Sequence, residues 1–168
     1  MLMVRKVERI QMNLKSLVKN KKGFTIIEVV LVLAIAGLIF LMVFIALPAM
    51  QRSQRDTQRK DDMARFNTAI NNYQSNNSGK LPNDWSAFIN NYLKVNGDKF
   101  ADPDGEEYKP VDKGKVTGDI EYTGDFNHEI HIYTYAKCDG EKVTRANGSR
   151  NIAFQYKLEG GGVYCGNN

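Results

Sequence analysis

Histidine and cysteine are scarce in this chain, two of each among 168 residues, and tryptophan occurs once. A structural zinc site needs several ligands at tighter spacing than Cys138 and Cys165 offer. His128 and His131 stand three apart with Glu129 between them. Positions three apart in a strand point to opposite faces, and His-Glu-Ile-His is not the i, i+4 helical pair of a zinc protease. The sequence also lacks a Gly-x-Ser-x-Gly nucleophile turn and a phosphate-cradling glycine loop followed by lysine. No catalytic constellation emerges, and the expected role is not enzymatic. The most telling absence is of charge. Val29 to Met50 carries none, and about 22 such residues form a helix that crosses a hydrocarbon core roughly 30 Å thick.

Just ahead of that run stands Lys21-Lys22-Gly23-Phe24-Thr25-Ile26-Ile27-Glu28, a basic leader meeting an apolar segment with one acid at its start. A carboxylate there is costly and needs a partner. A secretory signal would place small residues and its cut after the apolar region. Here the boundary itself is the expected cut, and the apolar part stays with the product. The alternative is an uncleaved signal anchor with Glu28 snorkelling to the interface.

The junction, the apolar helix and its polar continuation resemble type IV pilins and the related type II secretion pseudopilins over roughly the first half of the chain. The resemblance implies that a prepilin peptidase cuts after Gly23 and that the new terminus, Phe24, is methylated. It implies that Glu28 neutralises the terminal ammonium of a neighbouring subunit during assembly. Physically, a buried acid and a buried terminus each lower the other's cost of leaving water. Gly37 and Pro48 resemble the glycine and proline between which pilin helices melt in filaments. Pro48 lies about one turn later than usual, and a modest kink is the other reading.

Charge divides unevenly along the chain. Residues 1–23 hold seven basic residues against Glu8, about +6, so a product starting at Phe24 stands near −2 against +4 for the whole. Met12 offers an alternative start for a shorter leader. A basic leader inside places everything after Met50 across the membrane, and the balance gives no indication of nucleic acid as a partner. The even cysteine count in that exported part argues for a Cys138–Cys165 disulfide worth roughly 3 kcal/mol, the alternative being two free thiols. The resemblance agrees, since pilins commonly close a C-terminal loop this way.

Beyond Met50 the helical pattern continues. Arg52, Arg55, Asp56, Arg59, Lys60, Asp61 and Asp62 form a dense mixed-sign stretch, in which ion pairs along the helix and between subunits are expected. Met63, Phe66, Ile70 and Tyr73 then draw an apolar stripe. No glycine or proline interrupts residues 49–77, which predicts one helix from Phe24 to about Ser75, half in lipid and half supporting a domain. Asn83 or Asp84 caps a second, short helix with Trp85, Phe88, Ile89, Tyr92 and Leu93 on one face. Ile130–Ala136 and Ile152–Leu158 alternate as strands, with a weaker pair over Tyr108–Val111 and Val116–Tyr122. Lys142–Asn151 reads as a polar connection with a turn at Asn147-Gly148.

The fold class expected is therefore α+β, a long N-terminal helix packed on a small antiparallel sheet, as in pilins. Residues 1–23 form the leader, 24–50 the membrane and assembly helix, 51–77 its soluble continuation and 78–168 the globular domain. Asp102, Asp104 and Glu106 alternate around Gly105 as weak calcium candidates. They lack the remaining ligands of a calcium loop, so a surface turn is the default. Major pseudopilins bind calcium, and Asp102-Pro103-Asp104-Gly105 resembles a turn common in them. Asn76-Asn77-Ser78 and Asn147-Gly148-Ser149 match the glycosylation sequon.

The expected function is structural, a type IV pilus subunit that polymerises through its apolar helix. Its partners would be copies of itself, prepilin peptidase, an assembly platform with a motor ATPase, minor pilins, and membrane lipid before assembly. Its place would be first the cytoplasmic membrane, spanned once, and then an extracellular fibre. The alternatives are a type II secretion pseudopilin and a minor pilin acting as a membrane-anchored binding module.

Overall fold

The computed structural model describes residues 23–168; the basic leader and Met12 lie outside the described residues. The chain divides into two units, one ending at Ile45 and one spanning Ala46–Asn168. Helix α1 runs from Ile26 to Asn76 with Pro48 inside it. It starts where Thr25 can cap and stops at Asn77-Ser78-Gly79, where Ser78 and Gly79 take left-handed backbone angles and the Gly79 amide bonds the Gln74 carbonyl. The expected helix from Phe24 to about Ser75 is there, displaced by two residues at its start.

In the first unit the helix has no cover among the described residues. Ile26, Val30, Leu33, Leu38 and Phe44 are all more than half exposed. Apolar exposure on that scale marks a surface meant for lipid or for another chain.

In the second unit, the α1 residues Met63, Phe66, Ala69 and Ile70 are buried against a four-stranded sheet. The strands are β1 (Lys109–Lys115), β2 (Glu129–Thr134), β5 (Ile152–Lys157) and β6 (Val163–Asn167), in the order β1-β2-β5-β6. Ile130, Ile132, Ile152, Phe154 and Tyr156 belong to the core that the helix closes. Helix α2 (Trp85–Tyr92) adds Trp85, Phe88 and Ile89, and Asp84 caps it by accepting from the Ser86 and Ala87 amides. Phe66 is the hub, its ring centroid 5.0 Å from Phe154, 5.8 Å from Phe88 and 6.1 Å from Phe100. On the last strand Gly166 is needed for contact: a Cβ there would meet the Phe154 ring at 2.4 Å.

A second, smaller core joins Tyr133 and Ala153 of the sheet to Val116, Ala136 and Val143. It involves the hairpin of β3 (Ala136–Asp139) and β4 (Lys142–Arg145). Cys138 of β3 is disulfide-bonded to Cys165 of β6.

The sheet corrects the sequence reading in three places. β1 pairs with β2 in parallel rather than antiparallel, with a bulge between Asp112 and Gly114. Its Lys-Pro-Val-Asp-Lys-Gly-Lys sequence shows no alternation because it is an edge, where charge and proline are tolerated. Val116–Tyr122 is not a strand; its backbone pairs with the hairpin through an isolated bridge, Ile120 to Val143. The polar segment after Lys142 contains β4, because only Val143 of its four residues is buried.

Candidate functional site

At the N-terminal junction a Cβ on Gly23 would meet nothing within 4 Å among the described residues. Phe24 is 88% exposed. Thr25 and Glu28 form a reciprocal cap. The Thr25 amide and hydroxyl each donate to Glu28 Oε2 at 2.8 Å, while the Glu28 amide donates to Thr25 Oγ1 at 3.4 Å. This is the Thr-x-x-Glu capping box, which satisfies two donors that a helix start leaves unpaired. Its signal stands in the sequence, where Glu28 was read only as an assembly residue. Phe24, Glu28, Val29, Val32 and Leu33 line an open cleft of about 490 Å³. Gly37 also has open space where a side chain would go, and the helix continues through both Gly37 and Pro48.

The sequence reading missed the centre of the globular unit. Arg59, from the charged stretch of α1, is fully buried. It grips Asp102 with two donors, Nε to Oδ2 at 2.7 Å and Nη2 to Oδ1 at 2.6 Å. Its Nη1 donates to Asp56 at 2.9 Å and to Glu159 at 3.0 Å, and its guanidinium lies 4.6 Å from the centre of the Phe126 ring. Asp56 is held in turn by the Glu159 and Gly160 amides at 2.9 and 2.7 Å. A Cβ at Gly160 would come within 2.8 Å of the same carboxylate, so the close approach depends on glycine. Arg55 donates twice to Glu159, at 2.8 and 2.6 Å. The expected pairs along the helix are there, Asp56–Arg59 and Asp62–Arg65, but Arg55 and Arg59 also reach across the fold to Asp102 and Glu159, which the sequence reading did not expect.

Burial opposes the charge on Arg59, but the hydrogen bonds it donates to Asp102, Asp56 and Glu159 outweigh it and raise its pKa further. The bond from Arg55 is the main reason Glu159 falls from the usual 4.5 to about 2, with Arg59 adding to it. Tyr156 donates to Asp102 at 2.6 Å, and burial followed by that carboxylate pushes its phenol up. Tyr108 is raised in the same way, by burial and by Asp62, to which it donates at 3.0 Å.

Of the three calcium candidates, the structure brings Asp102 and Asp104 together with His128, their ligand atoms within 4.8 Å of one another. Glu106 is not part of that group. Asp102 is occupied by Arg59, Tyr156 and the Asp104 amide, and Asp104 pairs with His128 at 2.7 Å. Burial works to raise the Asp104 pKa, but the Glu106 amide and His128 together hold it below the usual value. His131 bonds Glu129 at 2.9 Å and stacks on Tyr122.

Against known proteins, residues 18–44 match the prokaryotic N-terminal methylation motif. The chain carries the prepilin signature. That signature is shared by type IV pilins and pseudopilins, and it supports membership of one or the other. The match covers the Lys21–Glu28 junction and the uncharged run as far as Phe44. No curated protein and no solved structure gives a significant match.

Proposed function

We propose that this chain is a prepilin whose mature form, beginning at Phe24, polymerises into a type IV pilus. The observation that carries the reading is the junction itself: an unobstructed Gly23-Phe24 ahead of a self-capped Glu28 and an uncharged helix without cover. The leader stays inside, the apolar helix parks the subunit in the cytoplasmic membrane, and the globular domain lies outside. Prepilin peptidase cuts and methylates, and an ATP-driven platform moves the helix from lipid into the fibre with minor pilins. Lipid is as apolar as a neighbouring helix, so the transfer gains little per residue and needs a motor. Glu28 sets the register by meeting a neighbour's terminus. Gly37 has no packing need for glycine within the chain, which supports a role in the assembled state. The Cys138–Cys165 disulfide supports a pilus subunit over a secretion pseudopilin.

The test is mass spectrometry of sheared surface filaments. The expected product is this chain beginning at methylated Phe24. A membrane-bound monomer with its leader intact would overturn the reading.

A further inference from the structure

The end of α1 is capped from its own residues. The Asn77 amide and side chain both donate to the Tyr73 carbonyl, at 2.9 and 2.8 Å, and the Gly79 amide takes the Gln74 carbonyl at 2.7 Å. Arg150 lies at the same place without taking part in the cap. Its carbonyl is pinned by the side-chain amides of Gln74 and Asn168, each donating at 2.8 Å. Its guanidinium rests against Gly79, where a Cβ would come within 2.7 Å of Nε and 2.8 Å of Cζ. Arg150 is exposed, and among the described residues its guanidinium has neither a hydrogen-bond acceptor nor an acid as partner. A planar fork of donors, held in place and left unused, is ready to meet a carboxylate or phosphate.

Lys80 is exposed and likewise unpaired among the described residues, and it lines one cleft of about 530 Å³ with Arg150. No aspartate or glutamate lines that cleft. The acid closest to it in sequence, Asp84, is engaged through Oδ1 by the Ser86 and Ala87 amides at the start of α2. The rest of the wall is neutral and polar. Ser78, Asn83 and Ser149 are exposed and offer two hydroxyls and an amide, while Tyr73 and Leu81 give it an apolar side. The C-terminal end of a helix is electronegative, so the two cations, not α1, would draw an anion. Two cations among neutral donors suit a ligand with few charges and many hydroxyls. A nucleic-acid strand would call for a basic groove along its backbone.

We infer that this cleft binds a carboxylated sugar of an acidic polysaccharide. Arg150 takes the carboxylate with two parallel donors, Lys80 adds a second cation, and Ser78, Asn83 and Ser149 bond the ring hydroxyls. The inference does not depend on the pilus reading, since every residue of the cleft lies in the second unit.

The full chain in detergent micelles is titrated by calorimetry with two acidic sugars, each against a neutral counterpart. The pairs are tri-galacturonate with its methyl ester and sialyllactose with lactose. At least one acidic sugar should bind about tenfold tighter than its counterpart. Arg150→Gln should weaken that binding about tenfold, and Arg150→Lys, which keeps the charge and loses the fork, about threefold. Lys80→Gln and Asn83→Ala should each cost about threefold. Lys99→Gln, an exposed lysine outside the cleft, should change nothing. Equal binding of both acidic sugars and their neutral counterparts overturns the site, as does parental affinity in Arg150→Gln and Lys80→Gln. A short oligothymidylate that binds as tightly as the sugar, and is lost in the same variants, overturns the sugar assignment, because charge alone would then account for the cleft.

Discussion

Glu28 and Arg59 lie on the same helix, each a charge in apolar company, and their surroundings differ in kind. Among the described residues Glu28 is held only by its own first turn, through Thr25, and the side chains around it have no cover. Arg59 is enclosed by carboxylates from its own helix, from residue 102 and from residue 159, with an aromatic face beside it. The first arrangement satisfies the minimum and leaves a surface open to another molecule. The second consumes its donors internally. A charge that the fold completes belongs to stability, and a charge left on a local cap belongs to what the subunit does next.

The comparison breaks most visibly at Glu28. Glu28→Val is expected to insert into membranes as well as the parent and to abolish filaments, with the unfolding of the globular unit unchanged. Electron microscopy of shear fractions and a urea titration check the two halves, and normal filaments would remove the role given to the acid. Arg59→Met should do the reverse of a clean assembly defect. Leaving Asp102 buried without its cation should cost about 3–5 kcal/mol in urea unfolding. Adding Asp102→Leu should recover part of that loss. Converting Cys138 and Cys165 to serine together should cost roughly 3 kcal/mol by the same measurement.

Acid sharpens the contrast. Glu159 is held at about 2 when folded against its usual 4.5, so it contributes stability above 4.5 that is lost as pH falls toward 2. Denaturation midpoints at pH 5 and pH 3 should differ, and Glu159→Gln should narrow the difference. The smallest effect is expected for Thr25→Ala, about 0.5–2 kcal/mol confined to the first turn and seen as faster amide exchange at residues 26–29.

Much of this was legible in the residues. The uncharged run, the apolar stripe from Met63 to Tyr73 and the Asp84 cap each follow from local pattern, and the structure has them. What escaped was set by partners distant in sequence. β1 reads only as a weak strand over Tyr108–Val111 because it is a charged edge, and its parallel pairing depends on β2 some twenty residues later. Arg59 looks like any cation on a solvated helix face until Asp102 and Glu159 are folded against it. The Thr25–Glu28 box, by contrast, was local and readable; its significance was hidden by the more conspicuous junction around it.

The three-way meeting of residues 59, 102 and 159 also carries a consequence for timing. During synthesis the guanidinium emerges long before its last partner does, and it must stay hydrated until residue 159 has followed. Long-range closure of this kind comes late in folding. The domain therefore begins as a helix waiting for its lid, and any factor that delays release of the final strands will find the interior still open to water.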